Sequence, residues 1–483
     1  MTDRSIFITE VQTLLGPKGF TSDSDLVTPW LTDWRGRYTG SAIGLASPAS
    51  TEEVADLVRL CGEHRISIVP QGGNSGMSGG ATPDSSGNAI ILSLRRMDRV
   101  RVFSRENKTI TCDAGLILQN LHDAAEAEGL RFPLTLGGKG SATIGGLIST
   151  NAGGTQVLRH GTMRAQVAGI EAVLPDGQIF DSLTPLKKDN RGFDLKQVLI
   201  GSEGTMGIVT GATLKLVEPI GGRIVIWAGM NSVLDARALL LLCDAQHADA
   251  LEGFEIIPNH CLKAVLDYLP DARNPLQQDH NWYALIELVA SVQSAESLPE
   301  IAEGLLEEAL NKELIEDATM SANEAQADYF WQLRDSISPA ERAIGPAMQH
   351  DISVPVETMA QFVDAAIPAV ESRFPATIAL AFGHLGDGNV HFHVLAPKQA
   401  VPGEWEESEG KQISMFVHDL VTQWGGSISA EHGIGQMKLA ELGRLGDPAS
   451  LHILRSVKAA LDPLDLFNPG KLIPPIVADS DSH

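Results

Sequence analysis

Three glycine-dense stretches decide how the amino-terminal half of this chain folds: PQGGNSGMSGG from Pro70 to Gly80, LGGKGSATIGGLISTNAGG from Leu136 to Gly154, and GSEGTMGI from Gly201 to Ile208. Successive glycines let backbone N–H groups converge on an anion with no side chains in the way. A pyrophosphate needs such a cradle. One cluster alone reads equally well as a turn, but three together point to a phosphate-bearing cofactor. None fits GxGxxG opening a helix with a later acid, and none is GxxxxGK[ST], which disfavours a nicotinamide-type dinucleotide fold and a P-loop.

Outward from these clusters the first half reads as mixed α and β. Ser50 followed by Glu53 resembles a capping box opening a helix through Leu60, and ISIVP, ending at Pro70, is strand-like. A second helix reads from Leu116 to Glu128 and stops at Gly129. Short β-rich runs such as AIILSL and LIGSEGTMGIVTGATLKLV replace a regular βαβ alternation. From about Pro219 the character changes to strand-like RIVIWAG, helix-like SVLDARALLLLCDAQ and a long acidic helical region from Ser294 to Ile337. Amphipathic helices and a Pro-rich stop close the chain, and the terminal VADSDSH reads as a disordered tail.

The 483 residues carry 61 Asp plus Glu against 36 Lys plus Arg, a formal charge of -25 that repels phosphate backbones and anionic lipid. Nucleic acid is disfavoured as a partner. The opening MTDRSIFITEVQTLLG has neither an apolar h-region nor a cleavage site, and no apolar run reaches bilayer-spanning length. The expectation is a soluble, cytoplasmic protein. Cys61, Cys112, Cys243 and Cys261 are scattered without a CxxC pair, so buried thiols are expected rather than disulfides or a cysteine zinc site.

In the second half, IALAFGHLGDGNVHFHVLA from Ile378 to Ala396 contains Asp387-Gly388, a two-residue hairpin signal between apolar runs. A turn on those two residues places Leu385 opposite Val390 and His384 directly opposite His391, with His393 on the same face by the period of two. Two imidazoles so placed suit one cation, and a carboxylate would complete the set. AEHGIG, from Ala430 to Gly435, offers Glu431 in a glycine-bounded segment. Two His and one carboxylate suit zinc with open positions, manganese and iron being the alternatives.

From about Ser41 to Pro474 the chain resembles the FAD-binding fold of the vanillyl-alcohol oxidase and p-cresol methylhydroxylase superfamily, with a carboxyl-terminal half similar to FAD-linked D-lactate and D-2-hydroxyglutarate dehydrogenases. The resemblance implies an α+β architecture in segments: a helical stretch at 1–40, a PCMH-type FAD-binding domain at 41–218, a substrate and metal domain at 219–411, a helical segment packing back on the FAD domain at 412–474, and a tail at 475–483. It implies that Pro70, Gln71, Gly72, Gly73, Asn74, Ser75, Gly76 and Gly79 surround the FAD pyrophosphate. Pro133, Leu134, Gly137, Ser141, Thr143, Ile144, Gly145, Asn151, Gly153, Gly154 and Asn468 continue the surface, while Glu203, Gly207 and Ile208 serve the adenine and ribose side. The loop from Gln71 to Gly80 has no His or Cys for a covalent flavin bond, so dissociable FAD is expected.

The family motifs HxGDGNxH and EHGxG match His384, His391 and Glu431 as metal ligands and His432 as catalytic base, with support of the metal ligands as the alternative role for His432. An imidazole has an ordinary pKa of about 6.5, suited to taking a hydroxyl proton near neutrality. By the same resemblance Arg334, Ser338 and Asn389 hold substrate, a guanidinium offering the fork that a carboxylate needs. Two substrate positions depart from the pattern: Gln349 stands where many relatives have Lys, and His393 where Asn is expected. Likewise His160 replaces a Tyr. Losing the lysine weakens the case for a dicarboxylate.

The resulting expectation is FAD-dependent, metal-assisted oxidation of a D-2-hydroxy acid, D-2-hydroxyglutarate first and D-lactate second. Electrons would leave to electron-transfer flavoprotein or a quinone, and the chain would act as a homodimer. Two rivals remain open: a zinc-dependent hydrolase using the same His and Glu to activate water, and a flavin-binding subunit without chemistry of its own.

Overall fold

The computed structural model describes residues 3–476, so the expected tail from 477 onward lies outside the described residues. Two compact units divide the chain. One comprises the residues up to Gly154, His160–Glu218 and the residues from Glu431 onward; the other comprises Thr155–Arg159 and Pro219–Ala430. The change of character read at Pro219 coincides with a boundary between the units. The chain re-enters the first unit at Glu431, later than the 412 expected. The physical reason is that the helix Lys411–Gln423 buries Ile413, Val417 and Val421 in the core of the second unit. Residues 3–40 likewise belong to the first unit, Phe7, Val11 and Leu15 packing into one of its cores.

The first unit holds two sheets. One joins β1 (Phe20–Thr21), β2 (Leu45–Ala46), β3 (Ser67–Pro70) and β4 (Ala89–Leu92) in the order β1-β2-β4-β3, with β2 and β3 parallel to β4. The other is antiparallel and joins β5 (Val100–Ser104), β6 (Thr109–Asp113), β7 (Val167–Val173), β8 (Ile179–Ser182) and β9 (Ile208–Lys215) in the order β5-β6-β9-β7-β8. The helix Thr51–His64 starts as its sequence directs. Ser50 Oγ accepts from Glu53 N at 3.2 Å, and Glu53 Oε2 accepts from Ala49 N at 2.7 Å. This helix feeds β3, and the first glycine loop leaves the carboxyl end of β3. Open parallel sheets bind ligands at that end.

The second unit is built on one antiparallel sheet of β10 (Gly222–Met230), β11 (Leu251–Pro258), β12 (Trp282–Ala290), β13 (Asp317–Met320), β14 (Ala347–Ser353), β15 (Ile378–His384) and β16 (Asn389–Leu395), in the order β13-β10-β12-β11-β15-β16-β14. Strand β13 interrupts the region expected to be helical from Ser294 to Ile337. The helices there are Leu298–Asn311, Glu324–Asp335 and Ile337–Ile344. Both sheet faces are covered, so the strands are apolar on alternate residues in both directions. Ile224, Ile226, Phe254, Ala381 and Phe392 face the helices Val233–His247, Leu298–Asn311, Met359–Arg373 and Lys411–Gln423. Trp227, Tyr283, Leu380 and Phe382 face Asn259–Tyr268, Glu324–Asp335 and Ile337–Ile344. Burying each such side chain contributes roughly 1.5–3 kcal/mol. That surplus supports the polar groups collected at one end of the second face.

Candidate active site

That polar end is assembled by strand register. Glu255 pairs with His384 across β11 and β15, Phe382 with His391 and Leu380 with His393 across β15 and β16, and Asp351 with His391 and Gln349 with His393 across β14 and β16. Opposed residues share a face, so Glu255, His384, Asn389, His391, His393, Gln349 and Asp351 all point to one side of the sheet.

The register corrects the sequence expectation in one respect. His391 lies opposite Phe382, not His384, because the turn spans Leu385–Gly388 instead of two residues. Leu385 is fully buried and its N–H turns to Phe254 O at 3.1 Å, which draws the strand toward β11 before the hairpin closes. The N–H groups of Asp387 and Gly388 fold back on His384 O at 3.3 and 3.2 Å, and Asp387 Oδ1 accepts from Asn389 N at 3.0 Å. Gly388 has φ +83°, and a Cβ there would sit 2.2 Å from Val354 O, so the DG pair is needed for the four-residue turn as it was for the shorter one. The register moves by two, and with a period of two the histidines stay on the same face. Their rings are 5.6 Å apart, as diagonal neighbours.

Carboxylates that sequence reading did not single out hold these imidazoles. Glu255, fully enclosed, bonds through Oε1 to His384 Nδ1, and its Oε2 accepts from Arg334 Nη2 at 2.9 Å and Nε at 3.0 Å. Burial works to raise the Glu255 carboxyl, but the Arg334 guanidinium and the His384 ring hold it well below the usual carboxylate range. The other ring nitrogen of His384, Nε2, lies 3.5 Å from Arg334 Nη2. Asp351 Oδ1 lies 4.0 Å from His391 Nδ1 and accepts from Asn389 Nδ2 at 2.8 Å. Burial, with the charges of Arg334 and His384, pushes the His391 imidazole well below its ordinary pKa, toward the neutral form that ligates metal. Asn389 Oδ1 is buried without a partner, an acceptor waiting for a donor on this face. Two acids, Glu252 and Glu255, in the otherwise apolar run LEGFEIIP were the sequence signal, since a buried charge needs a function or a partner.

Arg334, Ser338 and Glu341 lie four and three residues apart on consecutive helices covering this face. Arg334 is engaged by Glu255 and approaches Asp335 at 3.7 Å, so its fork is a paired cation, not a free one. His393 bonds through Nδ1 to Glu341, which is fully buried.

In the first unit a cavity of about 430 Å³ is lined by Pro70, Gln71, Gly72, Gly73, Asn74, Ser75 and Gly76, by Ser141, Thr143 and Gly145, by Glu203, Gly207 and Ile208, and by His432. The first and second glycine loops touch closely: a Cβ on Gly73 would sit 1.9 Å from Ser141 O. Gly79, Pro133, Leu134, Gly137, Ile144, Asn151, Gly153, Gly154 and Asn468 are not among the lining residues. Several of them support the wall from behind. Asn151 is the left-handed cap of the helix Ile144–Thr150 and its Oδ1 accepts from Thr162 and Arg164, while Asn468 Nδ2 ties Gly80 O to Glu203 O at 2.9 and 2.8 Å.

Glu203 does more than line the cavity. Its carboxylate accepts from Ile434 N and Gly435 N, each at 2.7 Å, and so holds the EHGIG segment. Ser78 Oγ donates to the carbonyls of His432 and Gly433 at 3.1 Å. His160 sits against Arg131 at 3.2 Å.

Comparison with known proteins gives this geometry a lineage. The family described as FAD linked oxidases, C-terminal domain, matches residues 224–472, and an FAD binding domain family matches residues 42–182. The chain belongs to the FAD-linked oxidases. Among relatives of this FAD-linked oxidase, the probable mitochondrial D-2-hydroxyglutarate dehydrogenase of Oryza sativa subsp. indica is 36% identical over 96% of this chain and 81% of its own. D-2-hydroxyglutarate dehydrogenase of Xanthomonas citri pv. viticola is 33% identical over 91% of each. The solved structure of p-cresol methylhydroxylase with substrate bound has a TM-score of 0.76 at 12% identity, covering 99% of this chain and 98% of that one. That likeness establishes the PCMH-type fold.

The FAD of this oxidase family fits the first unit's cavity. Glycine backbone lines it where a dinucleotide's phosphates need N–H groups, and no cysteine lines it. The second unit's face fits a cation by its donors: a half-buried His391 pushed toward its neutral form, a His384 oriented through Nδ1, and the unpartnered Asn389 Oδ1.

Proposed function

We propose that this FAD-linked oxidase converts a D-2-hydroxy acid to the 2-oxo acid, with D-2-hydroxyglutarate the first candidate from its relatives' names and D-lactate the second. The single observation that carries the reading is the Glu255–His384–Arg334 cluster beside His391. It places two imidazoles and a guanidinium on one sheet face, the groups that a hydroxyl-bearing carboxylate requires. His384, His391 and Glu431 would hold a divalent cation, a donor set of the composition zinc takes. When bound, FAD supplies a two-electron acceptor and the cation a Lewis acid.

The chain's own residues do the rest. Arg334 orients the substrate carboxylate, its fork aligned by Glu255. Asn389 Oδ1 accepts from a substrate or water donor. His432, which is among the residues lining the flavin cavity, takes the hydroxyl proton at its imidazole as the C2 hydrogen leaves. We further propose dissociable FAD, electron-transfer flavoprotein or a quinone as acceptor, a homodimer and a cytoplasmic location.

The test is a panel of D- and L-2-hydroxy acids under nitrogen, followed by flavin absorbance. Bleaching by D-acids, lost on chelation and restored by zinc, supports the reading. A preparation that no acid bleaches refutes it and returns the zinc hydrolase or the inert flavin-binding subunit; activity indifferent to chelation removes the cation.

A further inference from the structure

In the first unit, Lys458 is a buried cation that the site described above does not use. It lies in the last turn of the helix Pro448–Leu461, and its Nζ donates to Asp462 Oδ2 at 2.6 Å, Phe467 O at 2.9 Å and Thr205 O at 3.0 Å. An ammonium has three donors, and here all of them are engaged. The exposed Asp465 carboxylate stands 3.1 Å away. Asp462, itself buried, is equally satisfied: Oδ1 accepts from Leu466 N at 3.0 Å and Oδ2 from Phe467 N at 2.8 Å. A buried ion pair offsets its desolvation only when both members are hydrogen-bonded in this way. The pair pins residues 466–467 to the end of the helix, and its one remaining bond reaches Thr205, far away in sequence.

Thr205 follows Glu203 by two residues in the third glycine cluster, and Phe467 directly precedes Asn468. Glu203 and Asn468 are both left-handed without being glycine, with φ +51° and +44°, a conformation that surrounding contacts must hold. Asn468 Nδ2 donates to Glu203 O at 2.8 Å and to Gly80 O at 2.9 Å. Residues 203–205 and 467–468 are therefore bracketed twice, by the ammonium at one end and by the amide at the other. Ile68 N donates to Leu466 O at 2.7 Å and Asn468 N to Ile68 O at 2.8 Å, which lays this segment parallel to β3, the strand that feeds the first glycine loop. Gly80, Glu203 and Gly204 line the flavin cavity; Lys458 stands behind that wall and is not among the lining residues.

We infer that Lys458 is a positioning residue for the flavin: by clasping Thr205 O and Phe467 O it sets Glu203 and Asn468 at the cavity wall, and the rate at which FAD leaves the protein depends on it. The inference rests on the assignment of this cavity to FAD. A lysine that served the fold alone would stabilise the unit without governing FAD release.

The test follows FAD release from the full-length holoprotein by the flavin fluorescence that appears on dilution. Lys458→Met keeps most of the apolar stem and removes the donors, while Asn468→Gly keeps the left-handed backbone and removes the amide. Each should release FAD at least about tenfold faster, and because both act through one clasp the double variant should be no faster than the faster single variant. Release from Lys458→Met at the wild-type rate overturns the inference, whether or not its melting temperature falls. So does a double variant whose acceleration is the product of the two, the mark of independent losses. If Lys458→Met does not fold, Lys458→Arg replaces it: the planar fork keeps the charge but cannot meet three acceptors that converge on one point, so faster release is again expected and an unchanged rate again overturns the inference. Wild-type protein that holds no FAD refutes the cavity assignment, whereas wild-type retention with unmoved variants refutes the role of Lys458 alone.

Discussion

Replacing Glu255 by Gln tests the architecture of the proposed metal face most directly. The carboxylate accepts from Arg334 Nε at 3.0 Å and Nη2 at 2.9 Å, and it also bonds to His384 Nδ1. A glutamine keeps one acceptor oxygen and turns an NH2 donor toward either the imidazole or the guanidinium, both of which are donors there. Losing one member of an enclosed ion pair costs about 3–5 kcal/mol, because the remaining charge stays buried. Misdirecting a metal-ligating imidazole costs about 10–100-fold in metal affinity. Urea unfolding and competition for zinc with a chelator measure the two effects separately. A stability loss under about 1 kcal/mol together with unchanged zinc affinity would show that Glu255 neither anchors Arg334 nor aims His384.

The pH dependence has a definite sign. The folded-state pKa of Glu255 is depressed below 4.5, so the stability it contributes is fully present above that pH and lost as pH falls through the folded value. Wild type and Glu255→Gln should therefore differ most above pH 4.5 and converge in more acidic solution.

Other perturbations separate the two units. His432→Ala should slow flavin reduction by about 10²–10⁴-fold in stopped flow while FAD content is unchanged; an unaltered rate would leave His432 only a supporting part. Glu203→Gln leaves one of the Ile434 and Gly435 N–H groups facing a donor, at about 1–3 kcal/mol, so FAD should dissociate more readily on dialysis, and equal retention would separate Glu203 from the flavin cavity. Acid precipitation should release all the flavin to the supernatant, since the cavity has no cysteine and its one lining histidine is assigned to proton transfer; flavin remaining in the pellet would contradict this.

Much of the site was legible from local chemistry. Glycine clusters announce themselves because only glycine lets two backbones approach as Gly73 and Ser141 do. The DG pair marks a turn between strands, and the period of two put His384, His391 and His393 on one face by parity alone. That conclusion survived a hairpin two residues longer than expected, because an even shift of register preserves the face.

What tertiary structure alone decided is who partners whom. The turn length followed from burying Leu385 and sending its N–H to β11, a strand distant in sequence. Glu255, Asp351 and Glu341 read as ordinary acids until the sheet order β11-β15-β16-β14 and the helix Ile337–Ile344 set them against His384, His391 and His393. Arg334 looked like an open cation until Glu255 was found beneath it. Sequence records which groups are present and which face of a strand they occupy, since these follow from periods of two and 3.6. The charge that a group presents depends on contacts across strands and helices that only packing brings together.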